Sequence, residues 1–551
     1  MPDTKKIKSF LKKAWLPAIY VILIWLIIPP QLVFYKKILF TSYSLAIYVI
    51  VYFILSNKKN DHQKLKLRNN KIFIYIILFS VIFLLLTRLI PFYQYGEAPL
   101  GYDTGFYLRN FQVSQALMSD SAYNLNIMPY YLLGMSPLLA ISFMYILSQL
   151  LIAGSLYLLF RSMNIQASLA LASIAIFLFV MSVTQFYAFW WMLGQQMLAM
   201  SFLFLSIALL FRKPSLAILT GCLSMLFHVP TFAVFALSFF IFFIIQLILS
   251  IKKREMPDKK LVIIFLMGVC IMAVGILMRW QTFLNYVQEY LIVHKGQPST
   301  YPLWEVNRLK GAFMEIARLR LTNLLILPLS IYTFIQPKIW KVILDTKKSL
   351  SGFIIFLYVM FVCLLALVVF PVIYQQRFMI IFDFLLIIFA TPVFVLIIQN
   401  FLKDKFGKFL MITFVVAFYF NITNIALNQK PLIDPNELTE IKELSIKAEG
   451  NATIIATDGF YTPWIYGFGG RRSYGPGWGP DPWNLDLWFK FWQTGTDEER
   501  LKMLLEAHPS KPLYLFVGAK QMQGTALQEF IKTDPHFSII SDHVWKFNQE
   551  L

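Results

Sequence analysis

The chain has 551 residues, 58% of them hydrophobic, 17% aromatic and only 14% charged, with a mean hydropathy of +0.64. A soluble chain would have to expose that apolar surface, so composition excludes a soluble globular protein and points to one that crosses a membrane many times. The formal charge of +20 does not indicate nucleic acid, because the Lys and Arg residues fall in short loops between apolar runs, where they set orientation.

Lys5, Lys6, Lys8, Lys12 and Lys13 precede a first apolar run, 14–28. It lacks a small-residue cleavage site and ends in Pro29-Pro30, so it reads as a retained helix with the N-terminus in the cytoplasm. A second run, 38–55, leads to Lys58, Lys59, Lys64, Lys66, Arg68 and Lys71, the densest basic loop, which the positive-inside rule assigns to the cytoplasm. The third run, 72–90, then delivers residues 91–131 to the outer face as the first large outer loop.

That loop carries Pro99-Leu100-Gly101-Tyr102-Asp103-Thr104-Gly105-Phe106-Tyr107-Leu108-Arg109. A carboxylate and a guanidinium just beyond a membrane exit are candidates for chemistry. Asp103 is equally placed to cap a helix starting at Thr104, and the two glycines allow a tight turn. Glu97 and Asp120 are the other acidic residues of the loop.

Further runs are expected at 136–160, 167–183, 193–211, 216–227, 231–251, 261–277, 321–335, 353–373, 378–398 and 409–425. The basic loops between them keep to one side, giving about thirteen spans of roughly twenty residues, N-terminus in and C-terminus out. The run 216–227 is short and ends at His228-Val229-Pro230, which reads as a broken helix. Cys222, Cys270 and Cys363 lie inside apolar runs with no CxxC or Cys/His cluster, so neither a disulfide framework nor a zinc site is indicated.

A second large outer loop, 279–320, opens with apolar residues at helical spacing from Trp280 to Leu291 and continues into the breaker-rich segment 295–302. The first part suits a helix in the headgroup layer, and the second either orders over a substrate or is a connector. Arg377 begins the twelfth span at the outer face, with Asp383 about two turns further in. Intramembrane ionisable residues mark function or pair with one another, and a guanidinium there suits a phosphate. His228, Gln195 and Gln196 either line the same cavity or pack between helices.

From residue 428 the pattern becomes that of a small outer α/β domain, with a helix at 435–448, a strand at 452–457, a helix at 496–507 opened by the capping pattern Thr496-x-x-Glu499, a strand at 513–518 and a strand or hairpin at 537–547. Residues 458–480, dense in Gly and aromatics, read as one long irregular loop. Trp464, Tyr466 and Arg471 there offer rings and a guanidinium suited to sugars and anions, or equally a surface packed on the membrane. The Gly-rich run matches neither GxGxxG nor a Walker loop.

Gly101-x-Asp103-x-x-x-Tyr107-Leu108-Arg109, the span count, the long later outer loop and the outer α/β domain together resemble the GT-C superfamily of polyprenyl-phosphate-dependent membrane glycosyltransferases, including protein mannosyltransferases. The Asp103 string is most similar to that of oligosaccharyltransferase catalytic subunits, with Thr104 in place of a proline and Tyr107 in place of a histidine. Trp464-Ile465-Tyr466-Gly467 is similar to that family's Trp-Trp-Asp-Tyr-Gly signature without its Asp, and the second short outer loop lacks the family's acidic metal ligands. The resemblance implies a transmembrane part, 1–427, and an extracytoplasmic domain, 428–551. It implies a plasma-membrane glycosyltransferase that moves a hexose or pentose from a polyprenyl-phosphate donor to an extracytoplasmic glycan, lipid or protein, with inversion.

Asp103 would then be the catalytic carboxylate, or a ligand with Asp120 to a divalent cation such as Mg or Mn. Arg109 and Arg377 would hold the leaving phosphate. Tyr107, His228, Glu305, Trp464, Tyr466 and Arg471 would contact substrate, and Glu97, Glu305 and Asp458 are further carboxylates that would join Asp103. A polytopic transporter or lipid-linked-sugar flippase is the alternative, as is a non-catalytic sugar-binding membrane protein; against transport, only one broken segment is seen and no repeated partner.

Overall fold

The computed structural model describes residues 15–27, 34–56, 71–95, 104–105, 107–108, 133–175, 194–210, 213–252, 259–278, 280, 284, 323–337, 339–340, 348–369, 375–401, 405–428, 430–431, 433–469, 472–476, 483, 485–507, 512–519 and 525–548. The first two thirds of it is helical: α1 (Trp15–Ile27), α2 (Phe34–Ser56), α3 (Lys71–Thr87), α4 (Ile90–Tyr95), α5 (Pro137–Ser162), α6 (Ala167–Ser173), α7 (Gly194–Leu209), α8 (Pro214–Phe227), α9 (Val229–Lys252), α10 (Lys259–Met278), α11 (Asn323–Ile335), α12 (Lys348–Val369), α13 (Gln375–Phe401) and α14 (Lys405–Leu427). Among the described residues four stretches, Ile77–Tyr95, Pro137–Ser162, Val229–Lys252 and Arg377–Ile398, are long and apolar enough to cross a membrane, and shorter apolar helices precede and separate them. A backbone in lipid must satisfy its own polar groups, which is why these runs become helices.

Arg377–Ile398 is almost wholly enclosed by other helices. Outer helices expose large apolar side chains such as Phe79 and Phe420, as lipid-facing surfaces do. Among the buried contacts, the Ser330 hydroxyl of α11 donates to the Leu386 carbonyl of α13. The Tyr20 hydroxyl of α1 donates to the Ser44 carbonyl of α2 at 3.0 Å, with the Tyr48 ring packed between Tyr20 and Tyr332. The N-terminal helix pair is thus fastened to α11 by tyrosines that bury large area and still satisfy a hydroxyl.

Beyond α14 come α15 (Pro435–Lys447), β1 (Thr453–Ala456), α16 (Thr462–Gly469), β2 (Arg472–Tyr474), α17 (Leu485–Phe489) running into a π-helical turn (Lys490–Thr494), α18 (Asp497–Ala507), β3 (Leu513–Phe516), α19 (Thr525–Thr533), β4 (Phe537–Ser541) and β5 (Val544–Phe547). The sheet order is β2-β1-β3-β5-β4. The first three strands are parallel, and β5 and β4 add antiparallel pairs. Two apolar layers flank the sheet, one built on Leu438, Ile441 and Tyr461, the other on Trp488, Phe491 and Leu504.

The expectation of one irregular loop over 458–480 is corrected here, since α16 and β2 occupy part of it. Propensity argues against a helix through Gly467 and Gly469, but close packing of backbone against backbone overrides it.

Candidate functional site

Helix α3 runs out through Thr87 and Arg88, both buried, into the short α4. Of the expected motif, Thr104, Gly105, Tyr107 and Leu108 fall among the described residues, and all four are buried. Asp103, Arg109, Asp120, Glu97, Glu305 and Arg471 lie outside the described residues.

Gly105 packs directly on the backbone of α16. A Cβ added to Gly105 would stand 2.6 Å from the Trp464 nitrogen and closer still to the Pro463 carbonyl group. A Cβ on Gly467 would meet the Gly105 carbonyl oxygen and stand 3.0 Å from its carbonyl carbon. Main chain meets main chain here, and only glycine on both sides permits it. Gly105 and the Trp-Ile-Tyr-Gly helix, more than 350 residues apart by the numbering, are therefore brought together.

Several contacts hold α16 in that position. The Tyr461 hydroxyl donates to Glu437 Oε1 at 2.8 Å, and the Ala519 N–H donates to the same oxygen at 2.7 Å. Glu437 Oε2 accepts the Asp434 N–H, closing the capping box of α15. The Tyr461 ring fills the space over Gly518, where a Cβ would strike it. Phe468 and Leu138 pack against both the membrane-side core and the sheet-side core, and the Lys442 ammonium lies 5.3 Å over the Phe468 ring.

Trp464 is fully buried, and its indole N–H has no hydrogen-bond partner among the described residues. Its ring stacks on Phe468 at 6.1 Å between centroids, so it is a packing residue and does not offer an open face to a sugar. Tyr466 is half-buried. Asp458 follows β1, with its carboxylate accepting the Phe460 N–H at 2.8 Å. The chain leaves β1 toward β2 on one side and returns to β3 on the other, so Asp458 stands at a topological switch point, the edge where open α/β sheets place ligands.

On the membrane side, Arg377 is the third residue of α13 and half-buried, and Asp383 is buried. Six residues apart on one helix, they are separated by about 120° around it and do not stack as an i,i+4 pair would. The Gln196 amide Nε2 donates to the Arg377 carbonyl at 2.7 Å. His228 is the joint between α8 and α9. Its backbone N–H bonds back to the Ser224 carbonyl, while its Nδ1 accepts the Thr231 N–H at 3.3 Å and lies 2.8 Å from the Thr231 hydroxyl. An Nδ1 that accepts a backbone N–H carries no proton, so this bond assigns the proton of the neutral ring to Nε2. The imidazole thus caps the first turn of the second half of the broken helix.

Away from the junction, the Glu449 carboxylate accepts from Lys546 and from Tyr514, at 2.8 and 2.6 Å. These bonds hold it down at about 2. Burial pushes Glu440 up, but the bonds from His543 and Ser541 outweigh it and leave the carboxyl below its ordinary value. Among the described residues no group of three or more His, Cys, Asp or Glu is arranged to hold a metal.

Glu437 was not singled out from the sequence. Its spacing from Asp434 signals a cap, but nothing in the sequence announces its bond to Tyr461. Arg88 was likewise read as part of an apolar span.

No protein-family model matches the chain, and no curated protein matches it. Among solved structures it is similar to the Archaeoglobus fulgidus oligosaccharyltransferase in complex with Zn and sulfate, at 12% identity and a TM-score of 0.49 over 79% of this chain and 68% of that one. It is also similar to ArnT from Cupriavidus metallidurans, in the apo state at 10% identity and a TM-score of 0.48 over 85% of this chain and 97% of that one. The same protein bound to undecaprenyl phosphate gives 12% identity and a TM-score of 0.43, covering 85% and 98%. These are the kinds of protein that the sequence resembles. The chain is a largely helical, multi-pass membrane protein.

Proposed function

We propose that the chain is a membrane glycosyltransferase of the GT-C type that moves a sugar from a polyprenyl-phosphate donor to an extracytoplasmic acceptor. The observation that carries this reading is the docking of Gly105, two residues after Asp103, onto helix Thr462–Gly469. In this reading the Asp103 carboxylate, Asp458 after β1 and a lipid chain held by the apolar bundle would work together around this contact. The reading divides the chain into a membrane part, 1–427, and an outer domain, 428–551, with the N-terminus cytoplasmic.

In the proposed step an acceptor hydroxyl attacks the anomeric carbon, and the bond from that carbon to the phosphate oxygen breaks. The electron pair leaves with the polyprenyl phosphate, and the hydroxyl proton passes to the Asp103 carboxylate. One displacement inverts the anomeric centre. Arg377, with Arg109, stabilises the phosphate as its charge develops. Asp103 and Asp120 would be the ligands of a divalent cation, Mg or Mn, which supplies Lewis-acid activation of the acceptor when bound. Tyr107, Tyr466 and Arg471 are assigned to substrate contact, as is Glu305 of the later outer loop. His228 and Trp464 are assigned to the scaffold.

The test is transfer of radiolabelled sugar from a panel of polyprenyl-phosphate hexoses and pentoses by purified wild type and Asp103→Asn, with and without EDTA. Asn keeps the capping capacity and removes the base. Turnover in the variant is expected to fall by about 10²–10⁴, and undiminished transfer would remove Asp103 from the mechanism. Donor binding without turnover in wild type would favour a flippase.

A further inference from the structure

Gln196 is the third residue of α7 and 1% exposed. The carbonyl of Arg377 fixes the orientation of its amide, because turning the group over would set Oε1 against another lone pair. Oε1 is then left buried, with no hydrogen-bond partner among the described residues. A desolvated acceptor in a helical bundle is costly unless something donates to it, and such an atom in a native structure calls for a missing donor. Gly194, one turn-half earlier, lies under the Tyr145 ring of α5 so closely that a Cβ would stand 2.9 Å from its Cδ1. The start of α7 is thereby drawn in against α5, with Gln196 turned toward α13.

We propose that Gln196 Oε1 accepts a hydrogen bond from a sugar hydroxyl of the lipid-linked donor, beside the Arg377 that takes its phosphate. This rests on the donor reading given above and deepens it. The chemistry distinguishes two ligands of the same chain. An ionised phosphate ester carries only acceptors and cannot satisfy Oε1, whereas a hydroxylated sugar can. Arg377 and Gln196 together would therefore prefer a sugar-loaded polyprenyl phosphate to the bare one, so that spent carrier leaves and loaded carrier stays.

The test compares binding of undecaprenyl phosphate and of undecaprenyl-phosphate hexoses and pentoses to wild type, Gln196→Met and Gln196→Leu in detergent, with thermal unfolding as the folding control. Gln196→Met is expected to bind the loaded lipid about five- to tenfold more weakly, with affinity for bare undecaprenyl phosphate unchanged within about twofold. Gln196→Leu, which also lacks the acceptor, should show the same selective loss. Equal loss of both lipids in either folded variant, or no loss of either, would overturn the role of Oε1. Failure of wild type to bind any of these lipids would defeat the donor reading itself, and this inference with it.

Discussion

Glu449 shows how the C-terminal part of the chain is tuned by single residues. Lys546 and Tyr514 bond the ionised carboxylate in the folded protein and lower it from an ordinary 4.5 to about 2. A depressed carboxyl contributes stability that is present above the unfolded value and is lost as pH falls through the folded one. The contribution should therefore be full above about pH 4.5 and fade toward pH 2. Thermal unfolding followed across that range should show a shallower acid limb in Glu449→Gln, and an unchanged limb would contradict the assignment. Trp464 teaches a different lesson at the same scale. The sequence leaves Trp464 open between a ring offered to a sugar and one packed on the membrane surface, because composition records ring content and not which way a ring faces. The fold turns it inward onto Phe468.

Glu437 ties three elements together, since it accepts from the start of α15, from Tyr461 ahead of α16 and from Ala519 after β3. Removing it in Glu437→Ala leaves buried donors unmatched, at a cost of about 1–3 kcal/mol each. The melting temperature of the purified protein should drop by several degrees, and transfer should fall with it as α16 loosens; a variant as stable as wild type would show the network to be dispensable. Elements with strong local signals were legible. The helix expected from Thr496-x-x-Glu499 is present as α18, with both reciprocal bonds of the capping box in place. The hairpin at the C-terminus is present as β4 and β5. Helical segments also stand where the apolar runs were read, because hydropathy and helical backbone satisfaction act together in lipid. What local pattern did not disclose was α16, whose glycines oppose a helix by propensity and one of which, Gly467, is required by the distant Gly105. The short α17, the strand β2 and α19 were missed for a related reason, since each is fixed by packing on the sheet.

Across the whole molecule, the apolar bundle and the sheet-bearing part meet where Gly105 crosses Gly467 and where Phe468 and Leu138 belong to both cores. Hydropathy predicted the bundle and composition predicted the change of character after residue 427, but neither could predict their joint, which depends on backbone proximity. The proposed function stands on that joint, because it takes the joint to unite a donor side in the bundle with an acceptor side on the sheet. A misplacement of about 1 Å in such a site can cost 10²-fold in rate while leaving ligand binding intact. The most direct measurement is sugar transfer and donor binding, side by side, in Gly467→Ala, a variant whose new Cβ has the Gly105 backbone as its nearest neighbour. The account predicts transfer reduced about a hundredfold with donor affinity within about twofold of wild type. Wild-type transfer by a folded Gly467→Ala protein would contradict it.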